Sequence, residues 1–250
     1  MAQTPRDSDR HIADSLAMAA GERAERSVPA HPQAAPGAVP AADLADWAAT
    51  LMQSRQTILP KRLAEPGPDA AQLAQILGAA ASAPDHGQLL PWRFVLVPSA
   101  VRGLLAQQFA VALQQRDAAA LPEQLEQARE KAFRAPCLML VVVDGLCGDP
   151  EVDFSERLVS AGCAVQNLLL MATALGFGSA LTSGKALKAD GLRRLFGLGA
   201  CDQALCFVSL GTAHSRKPAR LRPAVADFVS HLTPEQGVQP GLGLPERHTP

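Results

Sequence analysis

The chain has 250 residues, 23 of them basic and 24 acidic, for a formal net charge of −1. That length allows one sizeable core with tails, and the charge balance argues against a nucleic-acid groove, which needs a clustered basic excess. There is no tyrosine, so any mechanism needing a phenolic proton donor is excluded.

Residues 1–40 are rich in Ala and Pro, and Pro29, Pro32, Pro36 and Pro40 break any long helix. A disordered extension is expected there, then a domain over 41–232 and a disordered tail at 233–250. Leu44, Trp47, Ala48, Leu51 and Met52 recur at helical spacing, which predicts a helix over 42–54. A second helix is expected over 69–82, with Asp69 as its N-cap. The polar loop 83–91 follows, then a strand from Trp92 to Val97. Helical patterns cover 100–116 and 122–133. Cys137 to Val143 is continuously apolar, as for a strand covered on both faces. A long helix over 153–175 is apolar nearly all round in its second half, so burial on several sides is expected, with Gly176 closing it. A strand over 177–182, a helix over 188–196 and a strand over 205–210 complete the domain. Residues 215–250 read as a Pro-rich, extended arm with an apolar patch at Val225, Phe228 and Val229. The order fits an α+β domain whose central mixed or antiparallel sheet is wrapped by helices.

The five cysteines form no Cys-x-x-Cys pair and are odd in number. Buried free thiols are expected rather than a metal site or a disulfide framework. No window reads as long and apolar enough to span a bilayer, and the N-terminus has no apolar signal core. A cytoplasmic protein with no membrane or nucleic-acid partner is expected.

Four constellations offer chemistry. Arg55-Gln56-Thr57 places a guanidinium beside a hydroxyl, a pairing able to hold a phosphate or simply to solvate a helix end. The loop from Ser82 to Trp92 gathers Asp85, His86 and Gln88 between two prolines; on chemistry alone it is either a connector or a binding loop. Gly176-Phe177-Gly178 follows a helix and enters a strand, the wrong context for a dinucleotide fingerprint, though Thr182, Ser183 and Gly184 are placed to donate to a ligand. Arg216, Lys217, Arg220 and Arg222 form a basic run, a solvated tail or a source of one phosphate contact. No serine sits in a nucleophile-elbow context.

Together, Arg55-Gln56-Thr57, Arg62-Leu63-Ala64-Glu65-Pro66, Ala83-Pro84-Asp85-His86 with Pro91-Trp92, Ser160 to Val165, Gly176-Phe177-Gly178 and Leu210-Gly211-Thr212 resemble the nitroreductase family over about residues 50–230. The resemblance implies the FMN-dependent nitroreductase fold and a homodimer with FMN at its interface and exchanged C-terminal arms. It also implies electron transfer from NAD(P)H to a small-molecule acceptor such as a nitroaromatic or quinone. It offers Arg55, Gln56, Thr57, Ser82 and His86 as FMN contacts, with Leu181, Thr182 and Ser183 reaching the flavin from the partner chain. The flavin carries the chemistry, so no catalytic side chain and no metal are implied. Gln56 and Ser82 each stand where the family has Arg, and Leu181-Thr182 stand for a Trp-Arg pair. A less basic pocket is therefore expected. Two alternatives stay open: a reductive dehalogenase or flavin-modifying enzyme on the same fold, and a non-catalytic FMN-binding dimer.

Overall fold

The apolar run at Cys137 becomes strand β3 (Cys137–Asp144) in the computed structural model, which describes residues 40–215, 218 and 221–243. Residues 1–44 and 45–250 form two units; of the first, only residues 40–44 are described, at the opening of helix α1 (Ala41–Ser54). The expected disordered extension thus lies almost wholly outside the described residues.

Strand β3 lies between β2 (Trp92–Leu96) and β5 (Asp202–Ala213). Strands β1 (Leu63–Ala64) and β4 (Gly178–Thr182) also pair with β5, and every one of these pairings is antiparallel. Side chains alternate across a strand, so an all-apolar strand needs cover on both faces. Met139 and Val141 pack with Ile76 of α2 (Ala70–Ala80) and with Val165, Leu168 and Leu169 of α5 (Phe154–Ala174). Leu138, Leu140 and Val142 meet Leu105 and Ala106 of α3 (Arg102–Arg116) and Leu192 of α6 (Asp190–Leu195). Burying one such side chain contributes about 1.5–3 kcal/mol. The architecture is the expected α+β sheet wrapped by helices.

Local chemistry sets the helix ends. Asp69 accepts from the Gln72 amide at 2.8 Å, and Gln72 accepts in return from the Asp69 amide at 3.0 Å, a closed capping box. Pro122 opens α4 (Pro122–Glu130), where a missing N–H costs nothing. Gly176 closes α5 at φ 87°.

Several elements differ from expectation. Strand β5 begins at Asp202 rather than Leu205, because Arg93 of β2 grips the Asp202 carboxylate with two 2.7 Å hydrogen bonds and draws this polar end into the sheet. Helix α5 is not buried all round: Val159 is 65% exposed, and Gly162 and Gln166 share that open side. This helix is also long and apolar enough to cross a bilayer, contrary to the reading of the bare sequence, though eight of its residues are buried. Finally, β6 (Ser230–Thr233) and β7 (Gly237–Pro240) form a hairpin, with Gly237 at φ 68° in its turn, so order runs past residue 232.

Arg157 is fully buried on the first turns of α5, with no carboxylate among its hydrogen-bond partners. Its guanidinium donates to the carbonyls of Val152 (3.0 Å), Cys147 (2.6 Å) and Asp149 (2.6 Å), and so ties down the loop after β3. Replacing it with Met strands those acceptors. Arg157→Met is expected to lose about 3 kcal/mol or more in denaturant unfolding. Arg129→Met, which breaks only the surface pair with Glu126, is expected to lose under about 1 kcal/mol.

Candidate functional site

Helix α1 ends where Ser54 turns its hydroxyl onto the Leu51 carbonyl at 2.9 Å. The chain then runs extended along the free edge of β4. Thr57 bridges Ser179 in parallel, and the Ile58 amide donates to the Ser179 carbonyl at 2.9 Å. Gly178 permits this approach. A Cβ there would sit 2.8 Å from Leu63, 2.9 Å from Ala213 and 3.1 Å from Ile58. The result places Arg55, Gln56 and Thr57 on a cavity of about 190 Å³, shared with Arg62, Ser215 and Arg222. Arg222 donates to the Arg55 carbonyl at 3.4 Å. Three arginines and no carboxylate line this small space, a donor set suited to a phosphate. Of the basic run, Arg222 is thereby located; Arg216, Lys217 and Arg220 lie outside the described residues.

The same segment borders a larger cavity of about 420 Å³, which Pro60 lines together with Thr182, Ser183 and Gly184 from the end of β4. Its apolar wall includes Phe109, Leu113, Leu138 and Phe207, with the two Phe rings in edge contact at 5.7 Å. Arg116, Lys131, Arg134 and Lys185 also line it, and no Asp or Glu does. Positions 56 and 82, where the family carries Arg, lie off this cavity, and the cations that line it come from other elements. Sequence reasoning missed these cations because each looks like an ordinary helix-end or surface charge. Arg116 closes α3, where cations favour the helix dipole, and Lys131 and Arg134 follow α4. Only the fold reveals that they converge.

Leu181 is 44% exposed and faces a third cavity, of about 340 Å³, with Gly162, Val165 and Gln166 of α5; Ser183 lines both this cavity and the larger one. Leu181, Thr182 and Ser183 are expected from the family resemblance to reach the flavin from a partner chain; within one chain the Thr57–Ser179 bridge sets the 55–58 segment beside the start of β4.

The Ser82–Trp92 loop stands apart. His86 Nδ1 lies 2.6 Å from a Glu156 carboxylate oxygen at the start of α5, and both side chains are largely exposed. The Asp85 carboxylate accepts from the Leu90 amide at 2.7 Å, holding a turn in which Gln88 (φ 53°) and Leu90 (φ 49°) occupy the left-handed region. Two non-glycine residues so placed mark a loop whose shape is imposed from outside it. Ser82 is exposed, and neither Ser82 nor His86 lines any of the three cavities. Within one chain the loop is not joined to the other candidate residues.

Among the described residues no cluster of His, Cys, Asp and Glu is placed to hold a metal. The cysteines there are free. Cys206 is buried as expected, and burial pushes its thiol up to about 11, which suppresses the reactive thiolate. Cys137 and Cys163 are only half-buried.

A model of the nitroreductase family matches residues 53–212. A Haemophilus influenzae protein provisionally named NAD(P)H nitroreductase is 34% identical over 186 residues, 74% of this chain and 99% of that protein. YdjA of Escherichia coli K12, with the same provisional name, is 34% identical over 174 residues, 68% of this chain and 92% of its own. The fold also matches a nitroreductase from Desulfitobacterium hafniense DCB-2 solved with bound FMN, at a TM-score of 0.53 and 20% identity, over 74% of this chain and 97% of that one.

The steric argument at Gly178 is directly testable. Gly178→Val is expected to cost about 1–3 kcal/mol in denaturant unfolding by crowding Leu63, Ala213 and Ile58. Gly103→Ala, in α3, whose added Cβ meets nothing within 4 Å, is expected to be neutral or stabilising by up to about 1 kcal/mol.

Proposed function

The chain belongs to the nitroreductase family, and from that premise we propose that it is an FMN-dependent oxidoreductase passing electrons from NAD(P)H to a nitroaromatic, quinone or similar acceptor. One observation carries the reading. The segment 55–62 contributes Arg55, Gln56, Thr57 and Arg62 to a small arginine-lined cavity and Pro60 to a larger one with an apolar wall and basic lining. A flavin mononucleotide needs that combination: a cradle for one phosphate and, next to it, a slot for a planar ring. The larger cavity falls within the roughly 300–1,000 Å³ typical of small-molecule sites.

In this reading Arg55 and Arg222 grip the phosphate through charge-assisted hydrogen bonds, and Thr57 adds a hydroxyl donor. Gln56 offers a neutral amide. Phe109, Leu113 and Phe207 exclude water from one side of the ring. Thr182, Ser183 and the backbone amide of Gly184 meet its polar edge. Lys131, an exposed lysine on the cavity lining, would supply positive charge toward a reduced ring. FMN, when bound, would supply the two-electron hydride chemistry. The chain needs no side-chain nucleophile for this.

Ser82 and His86 contact the flavin, in this reading, from a second protomer. A homodimer is supported by large exposed apolar side chains on three elements: Trp47 and Met52 on α1, Val159 on α5, and Phe228, Leu232 and Val238 in the C-terminal arm. Glu156 holds the His86 ring and fixes the direction it presents.

Titration of the apoprotein with FMN, followed by flavin fluorescence, tests the phosphate assignment. Each of Arg55→Gln and Arg222→Gln is expected to weaken binding about 10- to 100-fold, the loss of a hydrogen bond to a charged group of about 1.5–3 kcal/mol. Unchanged affinity in the double variant would place the phosphate elsewhere.

A further inference from the structure

We propose that the larger cavity selects acceptors carrying a negative charge on an aromatic frame, an aromatic carboxylate in the simplest case, and that Arg116 and Arg134 recognise that charge. The inference rests on the oxidoreductase reading above and adds the acceptor class to it.

The argument starts from a surplus of cations. Arg116, Lys131, Arg134 and Lys185 come from three separate stretches of chain, yet all four line one cavity that no carboxylate lines. None of them takes part in the ion pairs found among the described residues, which join His86 to Glu156, Arg93 to Asp202 and Arg129 to Glu126. FMN does not use them all. Its one strongly charged group is the phosphate, for which the smaller cavity already holds Arg55, Arg62 and Arg222. The ring, when reduced, carries at most a single negative charge, and one cation balances it. Clustered like charges repel at close quarters, so the remaining cations are placed to meet an anion that FMN does not provide.

The residue types narrow that anion. A guanidinium presents a planar fork that matches a carboxylate with two parallel hydrogen bonds. Arg134 is half-buried, so its fork is partly withdrawn from competing water, and Arg116 is exposed at the rim. The same cavity has an apolar, partly aromatic wall at Phe109, Leu138 and Phe207. With the flavin ring covered by that wall on one side, a flat acceptor stacks on the ring's open face, and the basic lining favours an anionic substituent. For a nitro acceptor the first reduction then balances as NAD(P)H + H⁺ + R–NO₂ → NAD(P)⁺ + R–NO + H₂O. The nicotinamide loses two electrons, the nitrogen gains them, and one oxygen leaves as water. The arginines take no part in the electron transfer; they hold the carboxylate on R.

The test uses FMN-loaded protein and a matched pair of acceptors, p-nitrobenzoate and p-nitrobenzamide, which share the reducible group and differ in charge. Wild-type protein is expected to prefer the benzoate by about tenfold or more in kcat/KM, the contribution of a charge-assisted pair. In the double variant Arg116→Gln/Arg134→Gln that ratio is expected to fall to near one through a raised KM for the benzoate. Calorimetric titration with p-chlorobenzoate, which has no nitro group, is expected to show the same loss of affinity without any turnover. Equal use of the two acceptors by wild-type protein would overturn the inference, as would a preference that survives in the double variant. A variant effect confined to the KM of NAD(P)H would also overturn it, by giving the rim to the donor's phosphates. In all three cases the benzamide is still reduced and the oxidoreductase reading stands. If neither acceptor is reduced and bound flavin is not reduced by NAD(P)H, that underlying reading fails instead.

Discussion

The candidate site depends on one close approach: the bare α-carbon of Gly178, on which Leu63, Ala213 and Ile58 close. With the Ile58 amide on the Ser179 carbonyl and Ile58 buried beneath, two stretches more than a hundred residues apart become neighbours. Arg55, Gln56 and Thr57 lie on one side of that contact. Thr182 and Ser183 lie a few residues further along β4. The apolar core fixes the sheet, but this edge contact turns the sheet into a site. A single Cβ at position 178 opposes it, so stability and site geometry are joined at one residue.

Charge is distributed to suit. The molecule as a whole is nearly neutral, yet cations dominate both cavities beside the 55–62 segment. Elsewhere arginines do structural work. Arg157 and Arg102 are both buried and donate to backbone carbonyls at loop-to-helix junctions. Burial lowers the pKa of the Arg102 guanidinium, but a guanidinium starts so high that it stays charged. Buried arginines of this kind fasten loops, whereas the cavity arginines are more exposed, and of them Arg222 makes one long contact with the Arg55 carbonyl.

Much of the fold was legible in the sequence because its signals are local. The run at Cys137–Val143, the capping box at Asp69, Gly176 after a long helix and the helix-spaced stripes each identify an element without reference to the rest. The missed elements depend on distant partners. Asp202 and Gln203 have no preference for strands and enter β5 through Arg93. Leu63–Ala64 is a strand only because β5 extends far enough to pair with it. The C-terminal hairpin is short and spaced by a proline, so it read as tail. At the site, the motif segments at 55–57 and 181–183 were recognisable by resemblance, and the structure joins the first to the start of β4 and sets the second at its end. The cations at 116, 131, 134 and 185 had no local signature, since convergence is a property of the fold. The His86 loop was legible as a shaped loop, and within one chain it faces Glu156 rather than either basic cavity.

Anaerobic titration of the FMN-reconstituted protein with NADH and with NADPH, read by flavin absorbance, tests the central claim most directly. Stoichiometric bleaching of the bound flavin by at least one nicotinamide, reversed on addition of a nitroaromatic or quinone, is the predicted result. A protein that takes up no FMN, or one whose bound flavin neither nicotinamide reduces, would contradict it.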